Sequence, residues 1–275
     1  MIMNLELTAL EAERLADVIE ARACADLYAA APAPMNARAR EEAGVTVLCI
    51  PTLPVSYFNR VIGLGNEAIA SEADLERITA GFSAAGVAEY WIQISPGARP
   101  IELPTMLSTR GFAPPARRSW SKFLRSTKLP PVTHADLSIR MAREADALTV
   151  ANVVATAYGM PPAIAPWFAA LVGRSHWQVW VAERDGAIVG TGSLYVSGKY
   201  GWLGVGATLA EHRGHGAQSS LLAARIQAAR EAGCELVVTE TGDPINGEKN
   251  QSLDNIRRAG FEKVCSRVNY AAPRD

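Results

Sequence analysis

The sequence is poor in the features that would commit it to metal, membrane or disulfide chemistry. It has four cysteines in 275 residues, Cys24, Cys49, Cys234 and Cys265, far apart and without a CxxC pair, so neither a disulfide framework nor a thiolate metal site is expected. Cys49 and Cys234 fall in apolar strand-like runs, which makes buried free thiols in a reducing cytoplasm the expectation. The histidines, His134, His176, His212 and His215, include no helical i, i+4 pair, His212 and His215 lie in a turn, and no metal site is predicted. A net charge of -1 gives no whole-chain field that would draw nucleic acid or a membrane surface. No apolar run is long enough to span a bilayer. The opening MIMNLELTALEAERLADV is acidic and helix-periodic rather than basic and then apolar, so it is not read as a signal peptide.

What remains is ordinary globular material, 49% hydrophobic and 20% charged, enough for one or two domains with a sizeable core. The most informative stretch is GATLAEHRGHGAQ, Gly206 to Gln218, followed by SSLLAARIQAAREAG. It reads as the end of an apolar strand, a glycine-rich turn with Arg213, Gly214 and Gly216, and the start of a long amphipathic helix. First-turn N–H groups lack intrahelical acceptors, the helix dipole adds positive potential, and Arg213 adds a fixed charge. Together these make a pyrophosphate grip. After the helix closes at Gly233 come the apolar strand CELVVTET, a polar loop, the short helix NQSLDNIRRAGF and the strand-like EKVCSRVNY.

At these residues the chain resembles the GCN5-related N-acetyltransferase (GNAT) superfamily, whose acetyl-CoA loop reads Arg/Gln-x-x-Gly-x-Gly/Ala. Arg213, Gly216 and Gln218 stand on its three positions, with Gln218 a departure. Asn250, Ser252, Asn255 and Gly260-Phe261 match the family's second motif beside the pantetheine arm. The resemblance implies that backbone groups of Thr208 and Leu209 pair with pantetheine and polarise the thioester carbonyl. It also implies that the N–H groups of Gly214, His215, Gly216, Ala217 and Gln218 hold the pyrophosphate, with side-chain help from Gln218 or Ser219. Acetyl-CoA is then the co-substrate.

In chain order, a helix over about 8 to 30, with Leu10, Leu15, Val18, Ile19 and Leu27 on its apolar side, precedes strands at VTVLCI and VSYFNRVIGLG. A helix capped by Ser71 and Asp74 follows, then the strand AEYWIQIS, a short helix ending in Gly111-Phe112, and the strand RRSWSKFLRS. The second part has the strand LSIRMA, the helix ADALTVANVVATAYG, a helix at PPAIAPWFAALVG, the hairpin WQVWVAERDGAIVGTGSLYVSG turning at Asp185-Gly186, and the strand YGWLGVGATL. Strand, helix, strand, short helix, Gly-Phe, strand therefore occurs twice. The expected fold is α/β, or α+β: two tandem GNAT-like domains, 1-130 and 131-275, each a mixed, mostly antiparallel central sheet flanked by helices. The linker is KLPPVTHAD. The first copy has no Arg-x-x-Gly-x-Gly, its Glu67, Glu72 and Asp74 would repel a pyrophosphate, and it is read as degenerate. Gly63-Leu64-Gly65 imitates a dinucleotide fingerprint, but AEYWIQIS ends in Ser95 rather than an acid, so a structural turn is expected there.

The implied reaction moves an acetyl group from acetyl-CoA to an amine on a small molecule or a peptide. Such transfer needs a donor pocket, a polarised carbonyl, a neutral amine and a way for the thiolate to leave. Many family members place a Tyr four residues before the Gly of Gly-Phe, where this chain has Ile256, which cannot donate a proton. Ser252 or Asn255 could orient a water there. Glu240, at the end of CELVVTET, is the first candidate base, with Tyr195 and Glu183 in reserve. Trp167 is a candidate acceptor contact if it is not core. The competing reading is a non-catalytic acyl-CoA-binding or sensor module.

Overall fold

The first helix, α1 (Ala9–Ala29), starts at a capping box in which Thr8 and Glu11 exchange side-chain and backbone hydrogen bonds. Of the predicted apolar side, Ile19 and Leu27 are buried, Leu15 and Val18 are half-buried, and Leu10 is 41% exposed. Glu13, Asp17 and Glu20 are buried as well, beside Ala12, Ala16 and Ala23. Apolar periodicity missed these three acids. The computed structural model describes residues 7–116, 118–131, 137–245 and 247–273. It falls into two compact units. Residues 132–136 of the expected linker lie outside the described residues.

The first unit takes the described residues of Met1–Lys122, Thr241–Lys249 and Lys263–Asp275. After α1 come β1 (Arg38–Glu42), β2 (Val45–Cys49), β3 (Arg60–Ile62), α2 (Glu72–Ala84), β4 (Trp91–Ile94), α3 (Leu103–Thr109) and the start of β5 (Ser119–Ser126). Two expectations shift here. ARAREEAG, unassigned in the sequence, makes β1 and a hairpin to β2 through Ala43-Gly44, both at positive φ. VSYFNRVIGLG keeps only three strand residues, because Leu53, Val55, Phe58 and Asn59 close tight turns on their own backbone. The strand order is β1-β2-β3-β4-β11, where β11 is Glu262–Ala271 and pairs antiparallel with β4 from Val268↔Ile94 to Ala271↔Trp91. Beneath it Glu20 accepts from Arg60, Lys122 and Arg267, and Asp17 from Arg267, Asn66 and Ser95. Pairing of this kind offsets the cost of burying these charges. The Gly63-Leu64-Gly65 turn is structural. A Cβ on Gly63 would stand 2.5 Å from the Gly44 carbonyl oxygen, and one on Gly65 2.6 Å from that of Arg99.

The second unit takes the described residues of Phe123–Glu240 and Asn250–Glu262. It contains the rest of β5, then β6 (Ser138–Met141), α4 (Ala147–Ala157), α5 (Ala165–Ala169), β7 (Trp177–Arg184), β8 (Ala187–Ser197), β9 (Tyr200–Thr208), α6 (Ala217–Glu231), β10 (Leu236–Gly242) and α7 (Gln251–Arg258). The strand order is β5-β10-β9-β8-β7-β6, with β9 and β10 parallel and the β6–β9 pairs antiparallel. The second predicted helix shrinks to five residues after a 3-10 turn at Pro162–Ile164. Asp185 and Gly186 take the positive φ their hairpin needs. α6 ends as expected, with Gly233 at φ +79° and Cys234 N–H returning to the Ala229 carbonyl. Its core joins Phe123 of β5 to Leu194, Leu203, Leu222, Ile226, Val237, Ile256 and Phe261.

Both units thus carry a parallel strand–helix–strand crossover, β3-α2-β4 and β9-α6-β10, and a short helix closing on a Gly-Phe pair with Gly111 and Gly260 near φ +80°. Their last strands are exchanged. β11 extends the sheet of the first unit, and the second half of β5 belongs to the second.

Candidate active site

Pairing between β9 and β10 runs from Tyr200↔Leu236 to Leu203↔Thr239. Beyond it β9 continues to Thr208 against β8, but through a bulge: Thr191 faces Ala207 and Ser193 faces Gly204, so Val205 and Gly206 stand opposite Gly192. Val205 sits at φ +49°, a left-handed conformation that costs a β-branched residue and persists where the surroundings impose it. Residues 204–206 are half-buried. The tip of Tyr158, just past α4, donates to the Gly206 carbonyl at 3.0 Å. Although Tyr158 as a whole is 42% exposed, desolvation of its phenol pushes it up to about 12, with Arg225 opposing the rise and Glu240 adding to it. Glu240 is half-buried near the end of β10, close enough for its charge to act on the Tyr158 phenol.

Beyond β9, Leu209 donates its N–H to Val189 at 3.0 Å and accepts from His212 at 3.0 Å, so both its backbone groups are engaged within the protein. Ala210–His212 form a 3-10 turn, Arg213 is extended, and Gly214 and Gly216 take φ +82° and +81°. Gly216 is the N-cap of α6 and offers no side chain to the first turn. Among the described residues no acceptor takes the N–H groups of Gly214, His215, Gly216, Ala217, Gln218 or Ser219. The contrast with α2 is direct. There Ser71 and Asp74 close the first turn with their own side chains, and Glu72 pairs with Arg110 at 2.6 Å. One crossover helix has its N-terminus stopped by carboxylates, the other has it open.

Arg213 is exposed and its Nε reaches the Thr208 carbonyl at 3.3 Å, tying the turn to the strand end. The side chain of Gln218 turns toward α7, donating to Ser252 Oγ at 3.3 Å and accepting from Asn255 Nδ2 at 3.1 Å, while Arg258 donates to Asn255. The structure therefore brings Gln218, Ser252 and Asn255 together in one network between α6 and α7. Asn250 caps α7 by accepting from Leu253 N–H at 3.1 Å. Ile256 is buried in the apolar core. Of the reserves, Tyr195 is packed against Trp177 with ring centroids 5.1 Å apart, and Glu183 is paired with Arg140 at 2.6 Å. Trp167 is fully buried and stacked on Phe168.

The open helix end and the bulged strand lie within the stretch that matches a known family. Residues 150–248 fit the model of the acetyltransferase (GNAT) family. Solved structures extend the likeness in fold across the chain. A GCN5-related N-acetyltransferase from Kribbella flavida superposes with a TM-score of 0.64 at 19% identity, covering 94% of this chain and 96% of that one. One from Sphaerobacter thermophilus gives 0.61 at 15% identity over 96% and 93%. A tandem GNAT protein from the clavulanic acid biosynthesis pathway gives 0.59 at 16% over 84% and 79%. No curated protein matches in sequence. Among the described residues no helix is long and apolar enough to cross a membrane, and no three metal-ligating side chains cluster.

Sequence reasoning missed Tyr158 and Arg225. Arg225 had a signal: it falls four residues after Leu221 and beside Ile226, on the apolar stripe of α6, where a charge demands explanation. Tyr158 had none, since its reach to Gly206 spans 48 positions.

Proposed function

We propose that this protein is an N-acetyltransferase whose C-terminal copy, residues 131-275, takes an acetyl group from acetyl-CoA and passes it to an amine of a small molecule or peptide, residues 1-130 being a degenerate copy. The observation that carries this is the row of six N–H groups without acceptors at the glycine-capped start of α6. A pyrophosphate accepts several such bonds at once, and the dipole favours its charge. The pantetheine arm would then run along β9 from Thr208 toward the bulge, with Leu209 shaping the turn and Asn250, Ser252 and Asn255 flanking. At the bulge, backbone N–H groups polarise the thioester carbonyl. Glu240 takes the proton of the attacking amine, directly or through water, and the phenol of Tyr158 stays neutral as a hydrogen-bond donor. Four buried cysteine thiols, none in a disulfide, fit a reducing compartment such as the cytoplasm.

A second reading, an acyl-CoA-binding or sensor module, is favoured by Ile256, which leaves the departing thiolate without an acid at that position. Timed release of CoA thiol across a panel of amines separates the two. An enzyme turns over with at least one acceptor class, whereas a sensor binds the donor and releases none.

A further inference from the structure

Arg225 is a buried charge that the reaction outlined above leaves unused. It is 2% exposed, on the face of α6 that packs against β8 and β9. Nε donates to the Leu221 carbonyl at 3.0 Å, and Nη1 to those of Ser193 and Gly204 at 3.2 and 3.3 Å. All three acceptors are neutral. Tyr158 is the titratable group that faces it, and no carboxylate among the described residues pairs with it. Burial draws its pKa down to about 10, so it remains a cation at neutral pH. Nη2 has no partner among the described residues and lies 3.9 Å from where a Cβ on Gly206 would stand. The strand makes room for it, since a Cβ on Gly192 would come within 2.6 Å of the guanidinium carbon.

Satisfying the Ser193 and Gly204 carbonyls of the strands needs no full charge. A neutral amide would do it without the cost of burying a cation that has no counter-ion. A retained charge aimed at the bulge is explained if negative charge arrives there during the reaction. We propose that Arg225 is the counter-charge for the CoA sulfur, stabilising the thiolate released at the Val205–Gly206 bulge. This rests on the acetyl-transfer reading above. The amine nitrogen forms a bond to the thioester carbon, the carbon–sulfur electron pair goes to sulfur, and the amine proton goes to Glu240 or water. The thiolate then leaves beside the guanidinium without needing a proton. Tyr158 is a poor substitute donor, because moving its proton to a thiolate with a pKa of about 8.5 is uphill.

The test reads the ionisation of the CoA thiol itself, by the ultraviolet absorbance of the thiolate in the complex of the full-length protein with CoA. In the wild type the bound thiol should titrate about one unit or more below free CoA. Arg225→Met should return it to the free value, and Arg225→Lys should keep part of the shift. Desulfo-CoA should bind wild type and Arg225→Met alike, within about twofold, because the grip on pyrophosphate is untouched. Should Arg225→Met fail to fold, Gly192→Ala, which pushes the guanidinium aside, carries the same expectation. Equal thiol ionisation in wild type and variants that all bind CoA overturns the role of Arg225 and leaves acetyl transfer standing. Absence of binding by both CoA and desulfo-CoA to the wild type overturns the acetyl-transfer reading and this one with it.

Discussion

Gly216 and Gly233 sit at opposite ends of α6 with nearly the same backbone, φ +81° and +79°, and a Cβ at either would meet nothing within 4 Å. Replacing either with Val therefore adds no clash, only the penalty of a left-handed conformation, about 1–2 kcal/mol. In a unit of this size each variant should lower the melting transition by several degrees, at ~2–4 °C per kcal/mol. Their effects on CoA should differ sharply. If residue 216 relaxes out of the left-handed region, the N–H groups of Gly216 and Ala217 turn away from a shared anion. Bonds to charged groups contribute ~1.5–3 kcal/mol each, so losing even one lowers affinity by about tenfold or more, and losing two by at least a hundredfold. Gly216→Asn, which tolerates this conformation, should fall between Gly and Val. Isothermal titration of CoA into the three variants, beside thermal melts, measures both effects. A Gly216→Val protein that binds CoA as tightly as Gly233→Val would show that the open helix end does not hold the donor.

Arg213→Ala should weaken CoA binding by about three- to tenfold, and less as salt rises, because the guanidinium is exposed and screened; a salt-independent loss would contradict that account. Glu240→Gln should leave CoA affinity unchanged and lower kcat by about a hundredfold, with partial recovery at higher pH as more amine arrives neutral. Loss of CoA affinity together with kcat would instead make Glu240 a scaffold residue. Hydrogen bonds from the Arg140 side chain and the Arg143 backbone hold Asp146 well below the usual carboxylate range. Its folded pKa is depressed, so its stabilisation is complete above the unfolded value of about 3.9 and is lost as pH falls through and below it. Asp146→Asn should therefore cost about 1 kcal/mol at pH 7 and flatten the decline in melting temperature between pH 5 and 3.

The second unit was legible in the sequence because its signals are local. Gly214, Gly216, Gly233, Asp185-Gly186 and Gly260-Phe261 mark turns and caps whose backbone demands only glycine or a turn-former can meet. Gln218, Ser252 and Asn255, drawn from two separate motifs, meet in one network. The first unit was less legible where its interior is ionic. Hydrophobic periodicity cannot find a helix face that buries Glu13, Asp17 and Glu20, because their partners, the Gly97 N–H for Glu13 and Arg60, Lys122 and Arg267 for the other two, lie far along the chain. The bulge was hidden for a related reason, since two residues facing one is a property of the β8–β9 pair and not of either strand.

The exchange of last strands sets an order of events during synthesis. α1 leaves the ribosome first, carrying Asp17 and Glu20, yet the guanidinium that bonds both belongs to Arg267, some 250 positions later. Until β11 emerges, β4 lacks its antiparallel partner, Asp17 lacks its cation and Glu20 lacks one of its three, so the first-made unit is the last to be completed. The two units cannot mature one after the other like beads on a string. A nascent chain arrested after Phe261 should keep its N-terminal half open to protease, and the further residues to Ala271 should close it.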